Sequence, residues 1–217
     1  MTGRRRWQTE EILDTAAELL RTSDAESFSV RKLAAALGTD SSSLYRHFRN
    51  KTELLRAVAV RDLLAAMDGY HPEGDWKQRV TALALRLREA FHEQPQLAVV
   101  WGRYGSGGGG SRLVMEEVLQ ALRTSGLPDQ EIPARYHRIA ILLAALISSE
   151  AGIGAITAKE YEQGMEQFRV AVLGADPERF PALAHFARDI RPLGADRRDA
   201  FEEILAGHLA HIEAQIP

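Results

Sequence analysis

Residues 29–56, SVRKLAAALGTDSSSLYRHFRNKTELLR, decide the fold of this chain. They predict two short helices broken at Gly38, then a third, longer helix from Lys51. Leu33, Ala34 and Leu37 make one apolar face at helical spacing, and Leu44 and Phe48 make the face opposing it. Gly38 takes the left-handed conformation that ends the first helix without a side-chain clash. Ala34, one turn earlier, is small enough for the second helix to cross closely. Thr39 or Asp40 then caps that second helix, which opens on Ser41, Ser42 and Ser43. This is helix-turn-helix geometry, in which the first residues of the second helix meet base edges in the major groove.

Outward from this stretch, nearly every periodic segment has the helical period. Thr9-Glu10-Glu11 opens a helix that buries Ile12, Leu13, Ala16, Ala17, Leu19 and Leu20. The short helices cover 29–37 and 41–47, and the longer one covers 51–67. A Gly, Pro and Asp-bearing turn, YHPEGD at 70–75, divides the chain into domains 1–70 and 71–217. Beyond it, helices are expected over 76–93, 95–104, 112–125, 130–157, 160–172 and 197–215. A loop with one short helix inside it fills 174–196. The middle of 130–157, IAILLAALISSEAGIGAI, is too apolar for a surface helix, so it reads as a bundle centre or a subunit interface. GSGGGGS at 105–111 has linker composition, either a natural mobile loop or an engineered replacement. No strand pattern appears, and the fold class is all-α.

Composition narrows the function classes. The absence of cysteine excludes disulfide frameworks, thiolate metal sites and cysteine nucleophiles. No run approaches the roughly 18–20 apolar residues of a membrane span. The N-terminus carries basic residues without an apolar stretch, so no signal peptide and no membrane partner are expected, and the chain reads as cytoplasmic. Net charge is −3, but residues 1–66 hold 11 Lys and Arg against 9 Asp and Glu, leaving a mildly basic head on an acidic body.

The segment LGTDSSSLYRHFRNKTELLRAV (37–58) resembles the tetracycline-repressor (TetR) family of bacterial transcription regulators. Its L-Y-x-H-F-x-N-K pattern is specific, and the likeness to the family's DNA-binding domain covers residues 8 to about 60. FPALAHF and the later FEEILAGHL resemble the ligand-binding domain of the tetracycline-repressor subgroup. The resemblance implies an N-terminal three-helix helix-turn-helix domain plus a C-terminal helical-bundle domain for ligand binding and dimerisation. It further implies a homodimeric repressor on a double-stranded, pseudo-palindromic DNA operator, released by a small-molecule effector. By this resemblance, Ser29 is expected to cap the first motif helix and donate to a phosphate, and Arg31 to reach a base edge. The resemblance likewise implies that Ser41, Ser42, Ser43 and Arg46 face the groove and that Tyr45, His47 and Lys51 contact phosphates, with Lys51 assisted by its helix N-terminus. Tyr45 and His47 also read as ordinary amphipathic residues. Arg4, Arg5 and Arg6 form either a minor-groove arm or a solvated tail.

For the effector, Phe91, Trp101, Tyr104, Tyr136, His137 and Glu150 are the candidate pocket residues. Trp101 and Tyr104 stand beside the glycine run, where a wall can deform. Glu150 lies inside an apolar helix and needs a partner if buried. Tetracycline-binding relatives hold a magnesium–drug complex with a histidine and a glutamate. Glu150 falls near that glutamate, but Trp101 stands where the histidine would be, which favours an apolar or aromatic effector and no metal. The histidine pair His208 and His211 lacks a matching carboxylate, and no cofactor is expected. No nucleophile–base spacing supports the alternative of a helical-bundle enzyme. A constitutive DNA-binding regulator without a ligand is the other alternative, and a cavity in the C-terminal body separates the two.

Overall fold

Apolar residues at helical spacing give ten helices and no strand among the described residues of the computed structural model, which are 7–22, 28–92, 95, 98, 101, 109–154, 156–192 and 197–216. In chain order they are α1 (Thr9–Thr22), α2 (Val30–Ala36), α3 (Ser41–Leu44), α4 (Lys51–Met67) and α5 (Trp76–His92). Then follow α6 (Gly109–Arg123), α7 (Ile132–Gly154), α8 (Ala158–Leu173), α9 (Pro181–Phe186) and α10 (Arg197–Glu213).

The starts and stops have local causes. Ser29 Oγ accepts from Lys32 N at 3.2 Å and caps α2. Gly38 closes the turn with φ +63°, where a Cβ would be strained. Of Thr39 and Asp40, the second is the cap: Asp40 Oδ1 accepts from Ser43 N at 2.9 Å. Asn50 Oδ1 accepts from Glu53 N at 2.9 Å and starts α4. The α3 helix is shorter than the expected 41–47, because Arg46 N and His47 N bond to the carbonyls of Ser43 and Leu44, three residues back.

A continuous buried cluster runs from Ile12 to Ile212. α1, α2 and α3 pack around Leu33, Leu44 and Phe48, and α4 lies against α1, α5 and α6. Arg61 Nη1 on α4 meets Asp14 Oδ1 on α1 at 2.6 Å. α5 packs on α6, α7 and α10, and α8 packs chiefly on α9.

α7 corrects two expectations. It stops at Gly154, because Thr157 caps α8 through a reciprocal box with Glu160. It is also no bundle centre: Ile132, Ile139, Leu143, Ile147 and Ala151 form one buried stripe, while Ile141 is 56% exposed. By length and composition α7 is apolar enough to span a membrane, with mean hydropathy 1.3, a feature the reading of apolar runs missed. α6 begins at Gly109, inside the glycine run, and α9 is the short helix expected within 174–196. Of the expected 95–104 helix, only Pro95, Ala98 and Trp101 are described, and all three are helical.

Candidate nucleic-acid interface and ligand cavity

The helix-turn-helix brings its polar residues to one end of the molecule. Arg31 and Lys32 are exposed on α2, and Ser42, Tyr45, Arg46 and His47 are exposed on and just after α3. Ser41 is half-buried. Ser43 departs from the expectation of three outward serines, since it is only 8% exposed. Its hydroxyl, three residues from the cap, lies 3.4 Å from Asp40 Oδ2 and accepts from Arg46 Nη2 at 2.8 Å. Helical spacing turns it inward with Leu44, and its role becomes holding Arg46. Ser42 Oγ also donates to Asp40 Oδ1. His47 Nδ1 lies 3.2 Å from Thr9 Oγ1, which links the end of α3 to the start of α1.

Lys51 is engaged within the chain. Its Nζ donates to the Phe28 carbonyl at 2.6 Å and sits 5.4 Å from the Phe28 ring centre. The lysine thereby ties α4 to the residues that precede α2. Arg4, Arg5 and Arg6 lie outside the described residues.

In the C-terminal body, a cavity of about 310 Å³ opens between α5, α6 and α7. Trp101, Tyr136 and His137, three of the candidate pocket residues, line it. Tyr104 lies outside the described residues. Phe91 sits behind the cavity and stacks on Trp101, with ring centres 5.1 Å apart and planes 24° apart. Burial pushes the Tyr136 phenol above its ordinary pKa. α6 adds residues that sequence reading passed over: Ser111, Val114, Met115 and Val118. Ser111 closes the stretch of linker composition, yet it is 7% exposed and helical.

Glu150 is not in this cavity. Arg88 on α5 grips it, Nε to Oε2 at 2.6 Å and Nη2 to Oε1 at 2.9 Å. The bond to Glu150 also pushes the Arg88 pKa up. The carboxylate has its partner, and the pair pins α5 to α7. It borders a separate space of about 200 Å³ that Phe91 and His92 also line. Among the described residues, no cluster of three or more His, Asp or Glu is placed to hold a metal.

The junction between the two ends is built from α4, α5 and α6. Arg86 on α5 donates to the carbonyls of Ala66 and Asp68, satisfying the C-terminal end of α4. Arg79 Nε and Nη2 meet Glu117 Oε1 on α6 at 3.0 and 2.8 Å. Tyr70 donates to the Arg79 carbonyl at 3.1 Å. α6 therefore lines the cavity and also packs against α4, which continues from the helix-turn-helix.

Comparison with known proteins agrees with this architecture. Residues 12–58 match the family model of bacterial regulatory proteins, tetR family. Residues 69–216 match the tetracyclin repressor-like C-terminal domain. A proposed transcriptional regulator of Streptomyces coelicolor A3(2) is 75% identical over 98% of this chain and 100% of its own, with TM-score 0.83. ActR of Streptomyces coelicolor, solved in complex with actinorhodin, is 27% identical over 95% of this chain and 99% of its own, with TM-score 0.77. The HTH-type transcriptional repressor DrrR1 of Streptomyces coeruleorubidus is 27% identical over 72% of this chain, which spans 55% of that repressor's length. The chain belongs to the tetR family of bacterial regulatory proteins.

Proposed function

We propose that the chain is a ligand-responsive transcriptional repressor, holding a pseudo-palindromic operator as a homodimer and releasing it when a small apolar or aromatic effector fills the α5–α6–α7 cavity. The observation that carries this reading is the double duty of α6. Ser111, Val114, Met115 and Val118 on α6 line the cavity, and the same helix packs against α4. Any effector that changes the position of α6 acts on α4, and through it on the helix-turn-helix. The cavity's size suits a small molecule, at the lower end of the usual ~300–1,000 Å³ range. ActR, solved with actinorhodin, is a relative whose bound molecule is consistent with such an effector. Ligand-free constitutive binding would leave the cavity without a role.

Arg31, Ser41, Ser42 and Arg46 are assigned to base edges, and Ser29, Tyr45, His47 and Lys51 to phosphates. Residues 1–70 serve as the DNA-binding domain and 71–217 as the ligand-binding and dimerisation domain. Exposed Ile141 on α7 and Ile204 on α10 support a two-fold pairing through these helices. A DNA regulator of this family works in the bacterial cytoplasm. The test is selection of bound sites from random DNA, with sedimentation at micromolar protein. Paired half-sites and a dimer are the expected result. A monomer, or binding without base preference, would refute the reading.

A further inference from the structure

Among the described lining residues, the cavity between α5, α6 and α7 is apolar apart from Ser111, Tyr136, His137 and the indole N–H of Trp101. Among its described lining residues none is Asp, Glu, Lys or Arg. Tyr136 is half-buried and His137 is exposed, so both belong to the cavity's rim. Ser111 differs from them. It is 7% exposed, and its buried Oγ has no hydrogen-bond partner among the described residues. A buried hydroxyl in this state destabilises the fold, and native proteins keep few of them. Alanine would serve the packing as well. Opposite chemistry comes from Trp101, whose ring is backed by Phe91 and offers the cavity a flat aromatic wall.

We propose that the cavity selects an uncharged, flat ring compound bearing a hydrogen-bonding oxygen, and that Ser111 Oγ is the atom that reads this oxygen. The inference rests on the reading of the cavity as the effector site and goes further by fixing the effector's chemistry. A charged ligand would lose its hydration with no carboxylate, ammonium or guanidinium among the described lining residues to replace it. A hydroxyl both donates and accepts, so a ketone oxygen and a phenol oxygen each satisfy Ser111. Tyr136 is the other hydroxyl among the described lining residues and serves as the control.

Equilibrium dialysis of the full chain against naphthalene, 2-naphthol and 2-naphthoate tests this. Wild type is expected to bind 2-naphthol about tenfold more tightly than naphthalene, the factor one added hydrogen bond supplies, and to bind 2-naphthoate most weakly. Ser111→Ala should erase the preference for naphthol, keep naphthalene affinity within about twofold, and melt no lower than wild type. Tyr136→Phe should keep the preference. The proposal is overturned by a naphthol preference that survives Ser111→Ala, by its loss in Tyr136→Phe instead, by naphthoate binding as tightly as naphthol, or by no naphthol binding. Operator binding measured alongside separates the two readings. Ser111-dependent binding that never loosens DNA refutes the effector role alone, whereas release of DNA by a charged compound seated in the cavity refutes the selectivity alone.

Discussion

At Lys51 one ammonium has two demands on it. It donates to the Phe28 carbonyl in the free protein, and the phosphate assignment asks it to face DNA as well. Lys51→Ala should therefore lower stability by about 1.5–3 kcal/mol, the usual worth of a hydrogen bond from a charged donor. The same change should reduce the salt dependence of DNA binding by about one unit per subunit. Denaturant titration and a salt series on the same variant check both effects; an unchanged salt slope would leave Lys51 a structural tie only. Arg31 is exposed and carries the base-reading assignment. Arg31→Ala should relax base preference at one position by ~1–3 kcal/mol, read by competition with single-base operator variants. Unchanged affinity and preference would remove Arg31 from the base contacts. The serine run illustrates what type alone conceals. Three serines read alike in sequence, but Asp40 and the helical turn draw Ser43 inward, where it orients Arg46.

The helices themselves were mostly legible, because caps and apolar spacing are local. Gly38, Asp40 and Asn50 punctuate the motif within a few residues of where they act. Tertiary partners were not legible. Glu150 stood out as an acid in an apolar helix, but Arg88 lies 62 residues away in sequence and on another helix. Ser111 closes a stretch of linker composition, and packing of α6 makes it helical and buried. Because the Arg88–Glu150 pair is mostly buried, Glu150→Ala should destabilise the fold by roughly 1–3 kcal/mol while leaving cavity binding intact. A denaturant midpoint beside the naphthol affinity checks it. Equal stability with weakened ligand binding would return Glu150 to the pocket. On α10, His208 has a buried Nε2 without a hydrogen-bond partner among the described residues, and it faces His211 on its own helix and Arg138 and Arg135 on α7. Burial first, then these neighbours, push its pKa below 6.5. The folded state thus prefers the neutral ring, so stability is full above the ordinary histidine range and falls as pH drops through it. Midpoints from pH 7.5 down to about 5 should decline less in His208→Gln than in wild type.

Across the whole molecule, α6 and α4 join the helix-turn-helix end to the cavity, with Arg86 and the Arg79–Glu117 pair fixing the junction. Of the cavity lining, Trp101, Tyr136 and His137 were legible in the sequence as candidate pocket residues. The α6 wall was not, because that wall depends on which face of α6 turns toward α4. In the proposed dimer on DNA, half-sites would lie about one helical turn apart, ~34–36 Å, and a rotation of α4 would alter that spacing. An effector acts only through its difference in affinity for the two arrangements, and a full switch from 1:99 to 99:1 takes about 5.5 kcal/mol. Emptying part of the aromatic wall should therefore affect release without affecting hold. The direct measurement is fluorescence anisotropy of a labelled, selected operator while a library of uncharged aromatic compounds is titrated onto wild type and Trp101→Ala. The account predicts release from wild type, with Trp101→Ala needing about tenfold more of the same compound, a loss of ~1.4 kcal/mol of cavity contact. Ligand-free operator affinity should stay within about twofold. Operator affinity falling as far as ligand sensitivity, or a compound that fills the cavity and never loosens DNA, would contradict it.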